Sequence, residues 1–158
     1  MAISIKSLRN SGYAGVATIL NAMCDGLIHQ SKRKNFKVDM DSFGGADGML
    51  CFGCAATCAL QELHDVNFTV KNIDSLDTRA RAVNMGITED DLDTFEGVVD
   101  DARRGNLHWL YTYCGLDLHE APVHGWYMIN SNWRKEIPKV RRFVEKLVKE
   151  HDLEWIYE

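Results

Sequence analysis

The sequence predicts an all-α fold, a mainly helical single domain over residues 1–158 packed around one buried helix. Three observations carry that expectation. Apolar residues recur at helical spacing through most of the chain, only two prolines interrupt it, and the run from Gly48 to Leu60 holds no charge. Within that run Cys51, Cys54 and Cys58 are spaced C-x2-C-x3-C. At 3.6 residues per turn the three thiols fall near one face, with Ala, Gly and Thr over much of the rest. A helix apolar on every side has to be surrounded by protein, so this segment is expected to be the central pin of the fold.

The elements follow in chain order. Ala2–Ile5 reads as a short strand. Asn10 or Ser11 then caps a long helix in which Tyr13, Val16, Leu20, Met23 and Leu27 make a single apolar stripe. That helix closes on Lys32, Arg33 and Lys34, cations suited to its negative end. A loop from Asp39 leads to Asp47, the expected N-cap of the cysteine helix, and Val66–Val70 reads as a brief strand. Ser75–Met85 reads as a short helix closed by Gly86 in the left-handed position. Thr88 with Asp91 resembles a capping box, with Ile87 and Leu92 at the staple positions, so a helix begins there and runs to Arg104, stopped by Gly105. Leu107, Leu110, Tyr111 and Cys114 make another short helix, ended by Gly115. His124–Ile129 reads as a strand, and the short extended pieces can form a minor sheet or β-hairpin. The last helix has Pro138 near its start and buries Ile137, Val140, Val144, Leu147 and Val148.

Composition narrows the function classes. A chain of 158 residues with a 46% hydrophobic fraction can bury a core without metals or disulfides. The longest apolar stretch is short of the roughly 18 residues that suggest a membrane span. Met1–Lys6 lacks the pattern of a signal peptide, and five cysteines, an odd number, point to reduced thiols. A cytoplasmic location is therefore expected. The net charge of −5 argues against direct nucleic-acid or membrane-surface binding.

Two chemical readings compete for the cysteines. As metal ligands, Cys51, Cys54, Cys58 and His64 supply the right donor types. On one helix, however, Cys51 and Cys58 would stand about 10 Å apart along the axis, too far for one zinc ion. As a nucleophile, Cys54 (or Cys51) near a helix N-terminus could pair with His124 as base and Asn130 or Asn132 as orienter, the order found in papain-like hydrolases. The plainer reading is that the thiols are small, soft core residues beside Ala55, Ala56 and Ala59. No cofactor is expected.

Other patterns fail on their chemistry. The loop Asp39–Asp47 has Leu50 where a calcium loop needs its bidentate Glu. His119, Glu120 and His124 are one residue too widely spaced for a zincin, and Pro122 breaks the helix it would need. Arg79–Gly97 has helix-turn-helix spacing, but its second helix opens on Glu89, Asp90 and Asp91, which DNA phosphates would repel.

Charge layout is the remaining signal. Between Glu89 and Asp101 there is no Lys or Arg, and Glu89, Asp93, Glu96 and Asp100 lie along one helical face. The last helix carries the opposite stripe, Lys135, Lys139, Arg142, Lys146 and Lys149. These are two solvated faces, an intramolecular pairing, or a docking surface. Trp109, Tyr111, Trp126, Tyr127 and Trp133 can serve the core or an interface. The expectation is a non-enzymatic regulatory or inhibitory interaction module. Its acidic face would receive a protein with a basic surface, such as a nucleic-acid-binding protein, and a homo-oligomer is compatible. The cysteine-dependent hydrolase and the metal-binding protein stand as the alternatives.

Overall fold

A computed structural model describes residues 2–69, 86–117 and 124–153. In chain order the elements are α1 (Ile5–Leu8), α2 (Gly12–Ser31), β1 (Phe36–Val38), β2 (Gly45–Asp47), β3 (Leu50–Gly53), α3 (Ala55–His64), α4 (Glu89–Arg103), α5 (His108–Tyr113) and α6 (Trp133–His151). The fold is mainly helical with a minor sheet. The helix expected over Ser75–Met85, together with His119, Glu120 and Pro122, falls outside the described residues.

The pin of the core is α3, shorter than the sequence suggested. Every residue from Ala55 to Gln61 is buried, as is Leu63, so the helix is enclosed on all sides. It packs against α2, which also carries α6, while α4 lies along α3 and α5. Gly26 of α2 is what lets two helices approach so closely. A Cβ at that position would meet the Cys58 carbonyl carbon at 2.6 Å and the Ala59 nitrogen at 3.1 Å. The apolar faces of these helices, from Ile5 and Leu8 to Val144 and Leu147, form one continuous hydrophobic cluster.

The cysteine run corrects the expectation of a single helix. Its first part is β3, with Cys51 in the strand, Cys54 at the N-cap of α3 and only Cys58 within the helix. Leu50, Cys51, Phe52 and Gly53 alternate between half-buried and buried, the period-two signature of a strand. A short apolar run fits a buried strand as well as a helix, and here strand pairing decides it. β3 is the central strand, parallel to β1 with Cys51 opposite Phe36, and antiparallel to β2 with Ala46 opposite Cys51. Asp47 is therefore a strand residue rather than an N-cap. A tight turn at Gly48 (φ +62°) and Met49 joins β2 to β3 as a hairpin.

Three other expectations change. Ala2–Ile5 is not a strand: Ser4 caps α1, its side chain accepting from the Lys6 amide at 3.3 Å. His124–Ile129 forms no ladder. It lies along the end of α4, with the His124 amide donating to Gly105 O and the Met128 amide to Arg103 O. α6 begins at Trp133, so Pro138 sits inside the helix rather than in its first turn. The boundaries around α4 agree with the sequence: Thr88 Oγ1 accepts from the Asp91 amide at 3.1 Å. Gly86, Gly105 and Gly115 all hold positive φ.

Candidate functional site

The thiols are buried and protonated. Cys51, Cys58 and Cys114 have no exposed surface, and Cys24 and Cys54 have little. Burial pushes Cys24 and Cys114 up to about 12 and raises Cys51, Cys54 and Cys58. At Cys54 the Thr57 and Ala56 amides and the Thr57 hydroxyl favour the thiolate, but desolvation outweighs them. Among the described residues no three His, Cys, Asp or Glu side chains converge on a point where a metal could sit. Splitting Cys51 and Cys58 between a strand and a helix gives each its own packing site. His64 serves α1, its Nε2 accepting from the Ile5 amide at 3.4 Å.

Cys54 borders a cavity of about 290 Å³ together with Met40, Phe43, Glu96, Asp100 and Arg103. Asn130 stands nearby, its Oδ1 accepting from the Met40 amide at 2.8 Å. His124 has other neighbours. Its ring stacks on Trp126, with centroids 4.9 Å apart, and tilts against Phe143 at 4.2 Å. Its Nε2 is buried with no hydrogen-bond partner among the described residues, and burial, with Lys146 nearby, lowers its pKa. Asn132 ties the chain ahead of α6, accepting from the Ile129 amide and donating to Tyr127 O. The hydrogen bonds and ring contacts of His124, Asn130 and Asn132 are thus made with the surrounding fold.

A polar cavity of about 360 Å³ lies between α2 and the chain leaving α3. Gln61 Oε1 accepts from the Phe68 amide at 2.8 Å, Gln30 Nε2 donates to Asn67 Oδ1 at 3.1 Å, and Arg33 donates to Phe68 O and Gln30 Oε1. These amides hold residues 66–68 against the helix pair. Gln30 and Gln61 are buried, and these bonds satisfy their amide groups.

The acidic face of α4 is the most distinctive part of the surface. Glu89 and Asp93 are exposed, and Glu96 and Asp100 are half-buried. The run is relieved more than the sequence suggested. Asp91 pairs with Arg9 at 3.3 Å, and Asp100 with Arg103 at 2.8 Å and Arg104 at 3.5 Å. Arg103 is itself buried and donates to Met128 O at 2.7 Å, so Asp100 both belongs to the stripe and anchors the core. Acids at i and i+4, as at Glu89 and Asp93 or Glu96 and Asp100, repel by a few tenths of a kcal/mol per pair.

Beside this face stands Trp109 on α5, 56% exposed, while Trp126 and Trp133 are buried. Grooves of about 290 Å³ flank its indole on both sides. One is walled by Asp93, Gly97, Val98, Asp100 and Asp101, the other by Arg9, Asn10, Thr112 and Tyr113. The acidic groove is open space beside Gly97, where a Cβ would meet nothing within 4 Å. The sequence held the signal for Trp109. Leu107, Leu110, Tyr111 and Cys114 point inward, which turns position 109 outward on the same helix.

Comparison with protein-family models, curated proteins and solved structures finds no match to the chain.

Proposed function

We propose that the protein is a non-enzymatic interaction module, regulatory or inhibitory in role, that captures a partner's basic surface on the acidic face of α4. The observation that carries this reading is the pairing of an exposed indole, Trp109, with a groove walled by Asp93, Asp100 and Asp101. An exposed tryptophan beside carboxylates suits a cation, which gains from the π face and from charge together, on the order of 1–2 kcal/mol once desolvated. Arginine fits better than lysine, because its planar guanidinium can stack and donate to a carboxylate at once. Asp101 has no side-chain partner among the described residues. The carboxylate stripe adds steering, and a cationic partner removes the repulsion within it.

A fluorescent nonapeptide carrying three arginines tests this by anisotropy. It should bind the full chain in low salt, and its lysine counterpart should bind less tightly. Trp109→Ala and the double variant Asp93→Lys, Asp101→Lys should each weaken binding roughly tenfold or more. Equal binding by all three proteins would remove the proposal.

The hydrolase reading keeps one point in its favour, the position of Cys54 at the rim of a cavity. Thiol titration, described below, separates it from the interaction reading.

A further inference from the structure

Two grooves, each of about 290 Å³, meet at Trp109, and Thr94, Val98 and the indole line both. The ring is thus a ridge between two halves of one trough. The outer walls of the halves differ in chemistry. On the α4 side the wall includes Asp101, a half-buried carboxylate with no side-chain partner among the described residues. Partial burial removes some of its water without supplying a counter-charge, so this half suits a cation.

The other half is more apolar. Val98 and Tyr113, both rooted in the core, line it together with the exposed Thr112. Its cation, Arg9, is already engaged, pairing with Asp91 at 3.3 Å and lying over the Tyr113 ring at 5.2 Å. Arg9 repels a second basic residue and, being paired, needs no anion. An apolar side chain gains most here, through area buried against Val98, Tyr113 and the indole. In an extended segment the side chains at i and i+2 point to one face, about 6.6 Å apart, while that at i+1 points away. A chain crossing Trp109 can therefore set one side chain down on each side of the ring.

Resting on the reading of this face as a docking surface, we infer that its occupant is an extended segment of a partner protein in which an arginine and a leucine-sized apolar residue stand two positions apart. The arginine reaches Asp101 with its guanidinium against the indole. The apolar side chain fills the groove of Val98 and Tyr113, and the residue between them passes over the ring. Asp101, Trp109 and the second groove carry this assignment, and the acidic stripe is not needed for it. Selectivity among basic sequences then comes from the apolar residue rather than from added charge. A purely cationic chain fills one half of the trough and leaves the other wet.

Anisotropy on the full chain with labelled nonapeptides of equal charge tests the inference. Each peptide carries three arginines; one has leucine two residues after the central arginine, the other has serine there, and a second pair with the order reversed covers both chain directions. In the better direction the leucine peptide should bind roughly five- to tenfold more tightly than its serine counterpart. Raising the salt from about 50 to about 300 mM should weaken both peptides while preserving that ratio. Thr112→Trp, which fills the second groove, and Trp109→Ala, which removes the ridge, should each bring leucine and serine peptides to equal affinity. Both positions are exposed, and circular dichroism confirms that the variants fold. Equal binding of leucine and serine peptides by the wild type in both directions overturns the inference and leaves the docking face standing. A leucine advantage that survives either substitution places the apolar side chain elsewhere and also overturns it. No binding by any peptide overturns the two readings together.

Discussion

Replacing Gly26 with alanine would put a methyl group into the closest approach between α2 and α3. The new Cβ would lie 2.6 Å from the Cys58 carbonyl carbon, against an ordinary contact of 3.4–4 Å. The obstacle is backbone, which cannot rotate away as a side chain could, so the helices would have to part by about 1 Å. A gap of that size forfeits up to half the dispersion energy of the atoms lining it, and overpacking a core costs about 1–3 kcal/mol or more. Alanine's better helix propensity returns about 1 kcal/mol. With backbone as the obstacle the upper end applies, and the net expectation is a loss of about 2 kcal/mol, read as a lower midpoint in urea and a Tm lower by roughly 4–8 °C. Gly97→Ala supplies the contrast. The same substitution, in another helix but with nothing within 4 Å of the new methyl, should stabilise by about 0.5–1 kcal/mol. A Gly26→Ala protein as stable as wild type would refute the close packing of α2 on α3, and with it the placement of the central pin.

Other expectations follow from buried polar and titratable groups. Arg103→Ala leaves Met128 O without its donor and Asp100 without its nearest cation, and should cost about 2–3 kcal/mol in equilibrium unfolding, the partial exposure of Asp100 moderating the loss. All five cysteines are buried, so a thiol reagent at neutral pH should react roughly tenfold or more slowly with the native chain than with the unfolded one. A single fast thiol, abolished by Cys54→Ser, would instead favour the hydrolase reading. Burial lowers the folded pKa of His64 and His124 below the ordinary 6.5. Above 6.5 both states hold these rings neutral; as the pH falls through 6.5 the unfolded chain takes up protons first, so stability drops until the folded values are reached. Unfolding free energy measured from pH 7.5 to 5 should fall, and His124→Gln should flatten part of that fall.

Much of the helical framework was legible because it is written in periodicity and punctuation. The Tyr13–Leu27 stripe gave α2, the Thr88 cap with Gly86 and Gly105 gave both ends of α4, and Leu107 to Gly115 gave α5. The sheet was not legible. Its strands are three or four residues long, and Leu50–Gly53 is apolar enough to extend the helix that follows, so only its pairing with Phe36–Val38 and Gly45–Asp47 reveals a strand. His124–Ile129 erred the opposite way. Its β-type residues are held by single bonds to the end of α4 rather than by a ladder, a tertiary arrangement that residue types do not encode. At the candidate site the charges could be read from sequence, whereas the role of Asp100 in holding Arg103 and the groove beside Trp109 depend on how α4 meets α5 and residues 124–128.

The central claim is that a basic partner is received on α4 beside Trp109. The most direct test is NMR titration of the isotope-labelled chain with the three-arginine peptide, following the Trp109 indole N–H and the α4 amides. The account predicts saturable shifts at Trp109, Asp93, Gly97 and Asp101 that disappear in high salt. Shifts confined to the cavity beside Cys54, or to the polar cavity between His29 and Asn67, with Trp109 unmoved, would contradict it.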